Sequence, residues 1–251
     1  MSWARRRKFI YISGIVIFII IFFVIPLLWH LYKPPTCSDG KKNQDELGID
    51  CGGVCILLCE AQYVPLTVKW QRFSKVSDGV YNVLAYIENP NLNAEANNLN
   101  YTFKLYDKDG VLLRERFGRT FVPANRIMAV FEPELLTGNQ IPQRVEFYFT
   151  SQAIWVKQAN VDTGLSVSQS VMSREETAPR LSFMLTNKTI NQIKKIEAIA
   201  IVYNTAGNTI AFSRTIVDAI NGKESKEVNF NWPKPFIDTQ ARTEIVLKLL
   251  K

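Results

Sequence analysis

Four cysteines, Cys37, Cys51, Cys55 and Cys59, fall within one 23-residue run, CSDGKKNQDELGIDCGGVCILLC. Thiols this close can oxidise to disulfides or hold a metal. An even count in a short segment outside a reducing compartment argues for disulfides. A four-thiolate zinc site usually offers two close C-x2-C pairs, whereas here 13, 3 and 3 residues separate successive cysteines. Two disulfides are therefore the expectation, and the spacing selects none of the three pairings. Interleaved with these cysteines are Asp39, Asn43, Asp45, Glu46 and Asp50, punctuated by Gly40, Gly48, Gly52 and Gly53. Hard oxygen donors on a glycine-rich loop are what a calcium shell of about 6–8 oxygens requires. The spacing is not that of an EF-hand, and the competing reading is that the same Asp and Asn side chains close turns.

Elsewhere the residues offer little chemistry. Ser-His-Asp and Cys-His catalysis need a histidine in the folded body, and the single one, His30, directly follows an apolar run. S-x-x-K occurs at Ser38–Lys41, inside the cysteine loop, and neither a P-loop nor G-x-G-x-x-G is present. Glu132, Glu134 and Asp218 stand near predicted strand ends, where carboxylates are usually solvated. The abundant aromatics read as sandwich core, with Trp70 and Trp232 as candidates for a binding surface. No enzymatic activity is expected.

The elements that must carry these residues begin with a membrane segment. Residues 9–29, FIYISGIVIFIIIFFVIPLLW, contain 21 residues without a charge. At 1.5 Å per residue such a helix covers about 31 Å, the thickness of a bilayer's hydrocarbon core. Pro26 falls near its end, and Tyr11, Trp29 and Tyr32 suit the interfaces. Arg5, Arg6, Arg7 and Lys8 precede it, so the positive-inside rule puts residues 1–8 in the cytoplasm and all that follows the helix outside. A cleaved signal peptide would have a shorter apolar core and a small-residue cleavage site, so an uncleaved signal anchor is expected.

The same segment accounts for most of the charge. The chain carries 30 Lys+Arg against 23 Asp+Glu, a net +7. Residues 1–33 hold five cations (the four above and Lys33) and no acid, leaving about +2 for the other 218 residues. A nucleic-acid partner would call for positive charge on the folded body, so none is expected.

From about Gln62 onward, apolar runs alternate with Asn, Gly, Asp and Pro clusters: YNVLAYI (81–87), YTFKLYD (101–107), RVEFYF (144–149), RLSFML (180–185), IEAIAIVY (196–203), KEVNFNW (226–232) and EIVLKLL (244–250). These read as half-buried strands of a β-sandwich or barrel. The two halves echo each other: Leu105–Gly110 with Val202–Gly207, Arg119–Val122 with Arg214–Val217, Glu132-Pro133 with Trp232-Pro233, and Arg144–Glu146 with Arg242–Glu244, at offsets of 95–100. Two copies of one module are expected, with Asp109-Gly110 closing a tight hairpin in the first and Pro90 and Pro233 at strand ends. Ile154–Val156 is expected to open the second copy as Val68–Trp70 opens the first. Residues 161–178 read as a polar connection with one edge strand.

Two stretches resemble known families. The run C-x-D-G-x-x-N-x-D-E-x-x-x-D-C-G-G-x-C (37–55) is similar to a short cysteine motif of secreted and surface proteins, often found beside adhesion-type or β-sandwich modules. Phe103-Lys104-Leu105-Tyr106-Asp107 matches F-x-L-Y-D and resembles the module named for that motif, an immunoglobulin-like, LEA-type β-sandwich of extracytoplasmic bacterial and archaeal proteins. The second copy departs from it, reading Ala200-Ile201-Val202-Tyr203-Asn204. The whole chain resembles membrane-anchored bacterial proteins built as anchor, cysteine motif and two tandem modules. This resemblance implies location and brings no catalytic residues.

The expected architecture is an all-β ectodomain of two tandem immunoglobulin-like sandwiches (61–153 and 154–251) behind a basic stub (1–8), a transmembrane anchor (9–29) and a disulfide-rich loop (30–60). The expected function is that of a non-enzymatic interaction or structural module of the cell envelope. It would be held in the lipid bilayer by residues 9–29 and would bind a protein or surface polymer through sandwich edges or loops. Strand addition at such edges would also permit homo-oligomers. An accessory subunit of a membrane secretion or transport complex, or less readily an extracytoplasmic hydrolase, are the alternatives.

Overall fold

The computed structural model describes residues 3–31, 36–158 and 163–250. Tyr32, Lys33 and Val161 lie outside the described residues. The chain divides into two compact units at Cys55/Ile56.

In the first unit, helix α1 (Trp3–Ile19) runs into a π-helical turn (Ile20–Val24) and then helix α2 (Ile25–Leu31). Arg5 to Leu31 form a continuous 27-residue helix, long and apolar enough to cross a membrane, and none of its apolar window is buried by protein. An all-round apolar helix of this kind is soluble in lipid rather than water. The wide turn directly precedes Pro26, whose ring would press on the carbonyl four residues back and which has no N–H to give. Opening the helix by one residue is a known relief of that conflict. Ser13 donates its hydroxyl to the Phe9 carbonyl at 2.8 Å, so its polar group is satisfied within the span.

The described residues of the second unit are all strand and loop apart from a 3-10 turn at Glu60–Gln62. Its strands are β1 (Thr67–Ser77), β2 (Val80–Asn89), β3 (Ala94–Tyr106), β4 (Leu112–Val122), β5 (Arg126–Leu136), β6 (Arg144–Phe149) and β7 (Ile154–Lys157), followed by β8 (Leu165–Ser173), β9 (Arg180–Asn187), β10 (Ile193–Asn204), β11 (Thr209–Ile220), β12 (Ser225–Asn231) and β13 (Gln240–Leu249). They form four antiparallel sheets, ordered β1-β2-β5, β4-β3-β6, β8-β9-β12 and β11-β10-β13. Replacing β1–β6 by β8–β13 in order converts the first pair of sheets into the second. The sequence echo is therefore a duplicated six-stranded sandwich.

Each sandwich buries its own alternating face. Val83, Ala85 and Ile87 of β2 meet Phe103 and Leu105 of β3 in the first core; Phe183 and Leu185 of β9 meet Ala198, Ala200 and Val202 of β10 in the second. A third cluster joins the two sandwiches. Leu84, Ala129 and Phe131, on the outward face of β1-β2-β5, pack against Ile199, Ile201, Tyr203, Phe212 and Val246 on the outward face of β11-β10-β13.

Three local expectations change. IEAIAIVY is buried on both faces along its whole length, not half-buried, because the third cluster covers its outer side. Ile154–Lys157 does not open the second copy: it pairs with Ala94–Asn97 of β3 and completes the first sandwich. The Asp107–Val111 connection is a five-residue turn with Gly110 at φ 79°, longer than a two-residue hairpin. Asp107 Oδ1 closes it by accepting the N–H groups of Asp109 and Val111.

Duplication also appears in a pair of buried asparagines. Asn89, at the end of β2, is 1% exposed. It donates through Nδ2 to the carbonyls of Ala94 and Pro123, both at 2.8 Å, while its Oδ1 accepts the N–H of Asn91. Asn187, 98 positions later, is fully buried and donates to Asn191 and Asn221 while accepting from Thr189. Each clamp ties the loop after the second strand of its sandwich to the loop after the fourth. Asn89→Ala and Asn187→Ala should each lower stability by about 1–3 kcal/mol or more, since several buried carbonyls lose their donor. Thermal denaturation of the detergent-solubilised chain checks this, with Asn91→Ala, at the half-buried rim of the first clamp, as the milder comparison.

Candidate functional site

The cysteine loop is built by its own side chains. Cys37 is joined to Cys55 across 18 residues, and Cys51 and Cys59 are disulfide-bonded as well. The zinc alternative is thereby set aside, since no thiolate remains. Cys37, Glu46 and Cys55 do approach one another closely enough to hold a metal ion, but both sulfurs belong to the disulfide. Glu46 Oε1 lies 3.2 Å from Cys55 Sγ, a contact in which a disulfide sulfur has no proton to donate.

The other acids close turns. Asp39 Oδ1 accepts the N–H of Lys41, and its Oδ2 accepts the Asn43 amide at 2.9 Å. The Asn43 hydrogen bond, helped by the backbone N–H groups of Lys41 and Thr36, holds Asp39 below the usual carboxylate range. Asp50 takes the N–H of Gly40 at 2.9 Å. Glu46, 4% exposed, takes those of Asn43 and Asp50. Gln44, Asp45 and Asp50 adopt positive φ. Gly53 is required where it stands: at φ +54°, a Cβ there would sit 1.9 Å from the Asp45 carbonyl oxygen. One atom stands apart, since Asn43 Oδ1 is buried without a hydrogen-bond partner among the described residues. Arg5, Arg6, Arg7 and Lys8 lie on α1, the Arg7 guanidinium 4.0 Å above the Trp3 ring.

A second constellation lies at the junction of the sandwiches, and no sequence motif announced it. Glu244 of β13 accepts hydrogen bonds from Tyr86 of β2 at 2.5 Å and from Tyr203 of β10 at 3.0 Å. Trp70 stacks on Tyr86 at 4.8 Å, and the Arg242 guanidinium lies 4.1 Å over Tyr203. Farther along, Lys248 donates to Thr120 Oγ1 of the first sandwich at 2.7 Å and sits 4.8 Å over Phe121. Glu132, expected in solvent, accepts the Tyr101 hydroxyl at 2.7 Å and is only 17% exposed. Trp70 and Trp232 are packed rather than displayed: Trp70 against the junction, and Trp232 in the second core at 8% exposure.

Burial pushes the tyrosine hydroxyls of Tyr86 and Tyr203 well up, and the neighbouring Glu244 carboxylate adds to the effect. Burial also lowers Lys248, with Glu197 partly opposing it. This chemistry joins two surfaces: a carboxylate shared by two hydroxyls, each from a different sandwich.

No protein-family model matches the sequence, and no curated protein matches it. Among solved structures, a red sea bream transglutaminase aligns with 72% of this chain and 29% of its own, at 11% identity and a TM-score of 0.25. A β-glucuronidase of glycoside hydrolase family 2 aligns with 63% of this chain and 21% of its own, at 12% identity and a TM-score of 0.21. This chain thus spans less than a third of either enzyme, and likenesses so weak carry nothing about its activity.

The junction has a pH signature. Tyr86 and Tyr203 ionise at higher pH folded than unfolded, so their contribution is whole below the unfolded value of about 10 and is lost as pH rises through the folded values. Melting temperature should therefore fall steeply above pH 10, and the Tyr86→Phe/Tyr203→Phe double variant should show a shallower fall. At neutral pH, Glu244→Ala should destabilise by about 2 kcal/mol, the cost of leaving buried hydroxyls unpaired.

Proposed function

We propose that the chain is a single-pass membrane protein, N-terminus in the cytoplasm, whose exterior part is a non-enzymatic interaction or structural module of the cell envelope. It would bind an envelope protein or surface polymer through sandwich edges and loops. The observation that carries this reading is the third apolar cluster: each sandwich spends one apolar outward face on the other, which leaves edges, loops and the opposite outer faces to present. Disulfides favour the oxidising side of a membrane for residues after the helix, and the basic block before it favours the same orientation. We read 37–55 as the cysteine motif and Phe103–Asp107 as the F-x-L-Y-D motif of an immunoglobulin-like module.

The edge strands support this role. Their outward backbone groups can accept an added strand. β1 carries Lys69, Arg72 and Lys75, whereas β8, LSVSQSVMS, has no charge at all and exposes Val171. Cross-linking in intact cells, followed by purification of the full chain, should recover a small set of envelope proteins or a surface polymer, and Val171→Lys should reduce edge-mediated capture. Protease added to intact cells should digest the sandwiches, and the cysteines should not label as thiols. Protection from protease, or free thiols in the native protein, would overturn the orientation.

Calcium in the cysteine loop is a second proposal, favoured by the unpartnered Oδ1 of Asn43, a residue that hydrogen-bonds the Asp39 and Glu46 carboxylates. A cation held at about 100 times its dissociation constant adds about 2.7 kcal/mol to the bound form. Tryptic cleavage at Lys41 and Lys42 should then slow markedly in millimolar Ca²⁺ relative to chelator. An unchanged rate retires calcium.

A further inference from the structure

Where the two sandwiches meet, a groove of about 400 Å³ opens between the end of β1, the start of β11 and the segment Trp232–Ile237. It is bounded by sheet edges: β1 pairs only with β2, and β11 only with β10. The outward N–H and C=O groups of Phe73–Val76 and Thr209–Ala211 therefore have no strand partner among the described residues. Such edges accept an extended peptide backbone.

Trp232 supplies the decisive observation. It lines the groove, is 92% buried, and its indole N–H has no hydrogen-bond partner among the described residues. A buried donor without an acceptor is rare, because burial strips it of solvent bonds. Phe230 and Phe236 hold the ring by aromatic contacts at 6.3 and 5.2 Å, so the N–H cannot swing away to find one. The remaining groove surface is mostly apolar, from Phe73, Ile210, Pro233 and Phe236, with Ser74 and Thr209 as uncharged polar residues and Lys75 and Lys234 as its two charged ones. Asp78 pairs with Lys75 at 2.8 Å just outside, leaving the site net positive.

We propose that this groove binds an extended peptide segment of a partner protein, with apolar side chains and at least one acidic residue. The exposed segment Pro233–Pro235 would shift aside to let a backbone carbonyl accept from the Trp232 indole N–H, and the carboxylate would meet Lys234. Unpaired backbone edges on both walls favour a peptide over a polysaccharide, since they complement another main chain and not a sugar ring. The inference rests on the proposed tethering role and names a site for it.

The test uses the full chain in detergent micelles with ¹⁵N-labelled tryptophan. The probe is a synthetic hexapeptide pool of Val, Ile and Pro with two Asp positions; the same pool with Lys for Asp and an acidic hyaluronan oligosaccharide are the comparisons. The acidic pool should shift the Trp232 indole resonance, identified by its loss in Trp232→Phe, and should bind at least tenfold more tightly than the Lys pool. Trp232→Phe and Lys234→Glu should each weaken binding by at least tenfold. Lys234 is exposed on a loop, so its variant keeps the test valid should Trp232→Phe unfold. No shift with the acidic pool overturns the proposal, as does undiminished binding by Lys234→Glu or by a folded Trp232→Phe. A shift by hyaluronan alone overturns it in favour of an acidic polymer. If a Trp232→Phe/Lys234→Glu double variant still cross-links a partner in cells, the groove is wrong and the tethering role stands; if the wild-type chain cross-links none, the tethering role itself fails.

Discussion

The β-rich part of this protein depends on one packing event, the burial of the outward face of β11-β10-β13 against the outward face of β1-β2-β5. A six-stranded sandwich normally leaves its two outer faces to water, with polar side chains alternating against the apolar core positions. Here one outer face of each copy is apolar instead. Ile199, Ile201 and Phe212 on one side and Leu84, Ala129 and Phe131 on the other would be an aggregation liability if either sandwich stood alone. Each fully buried Ile, Leu or Phe is worth about 1.5–3 kcal/mol, so separating the copies would be costly.

Polar groups at the rim of this contact then acquire a definite task. Glu244 takes one hydroxyl from each sandwich, and Lys248 reaches from the second into the first. Hydrogen bonds of this kind add modest net stability but impose geometry, because a misaligned approach would leave a half-buried carboxylate or hydroxyl unpaired. The apolar cluster makes the contact favourable, and the polar rim selects its register. The groove beside Trp232 is a by-product of the same contact: two sheet edges brought close and not quite closed.

Legibility in the sequence followed the range of the physics involved. The long apolar helix was plain, since 21 consecutive uncharged residues report composition alone, as were the disulfides, because four cysteines within 23 residues have few partners other than one another. Strands such as RLSFML could be read from alternation, and the duplication from turn residues recurring at a constant offset. The buried Asn89 and Asn187 were overlooked although they stand 98 residues apart in N-P-N and N-K-T, because an asparagine before a turn reads as solvent-facing. Their burial depends on carbonyls more than 30 residues away. Ile154–Lys157 does not show in sequence which copy it belongs to for a related reason: a four-residue strand carries no address, and only its pairing with Ala94–Asn97 places it in the first.

Local pattern alone thus determined the lipid-soluble helix, the oxidised loop, the β class and the twofold repetition of the body, since each follows from side-chain polarity and spacing within a few turns or strands. Only the tertiary structure decided which face of each copy meets the other, which carboxylate joins Tyr86 to Tyr203, and where Trp232 is left with an unpaired donor. Those outcomes arise between residues as many as 158 positions apart, and side-chain periodicity along one strand is the same whether its outer face meets water or a second sheet.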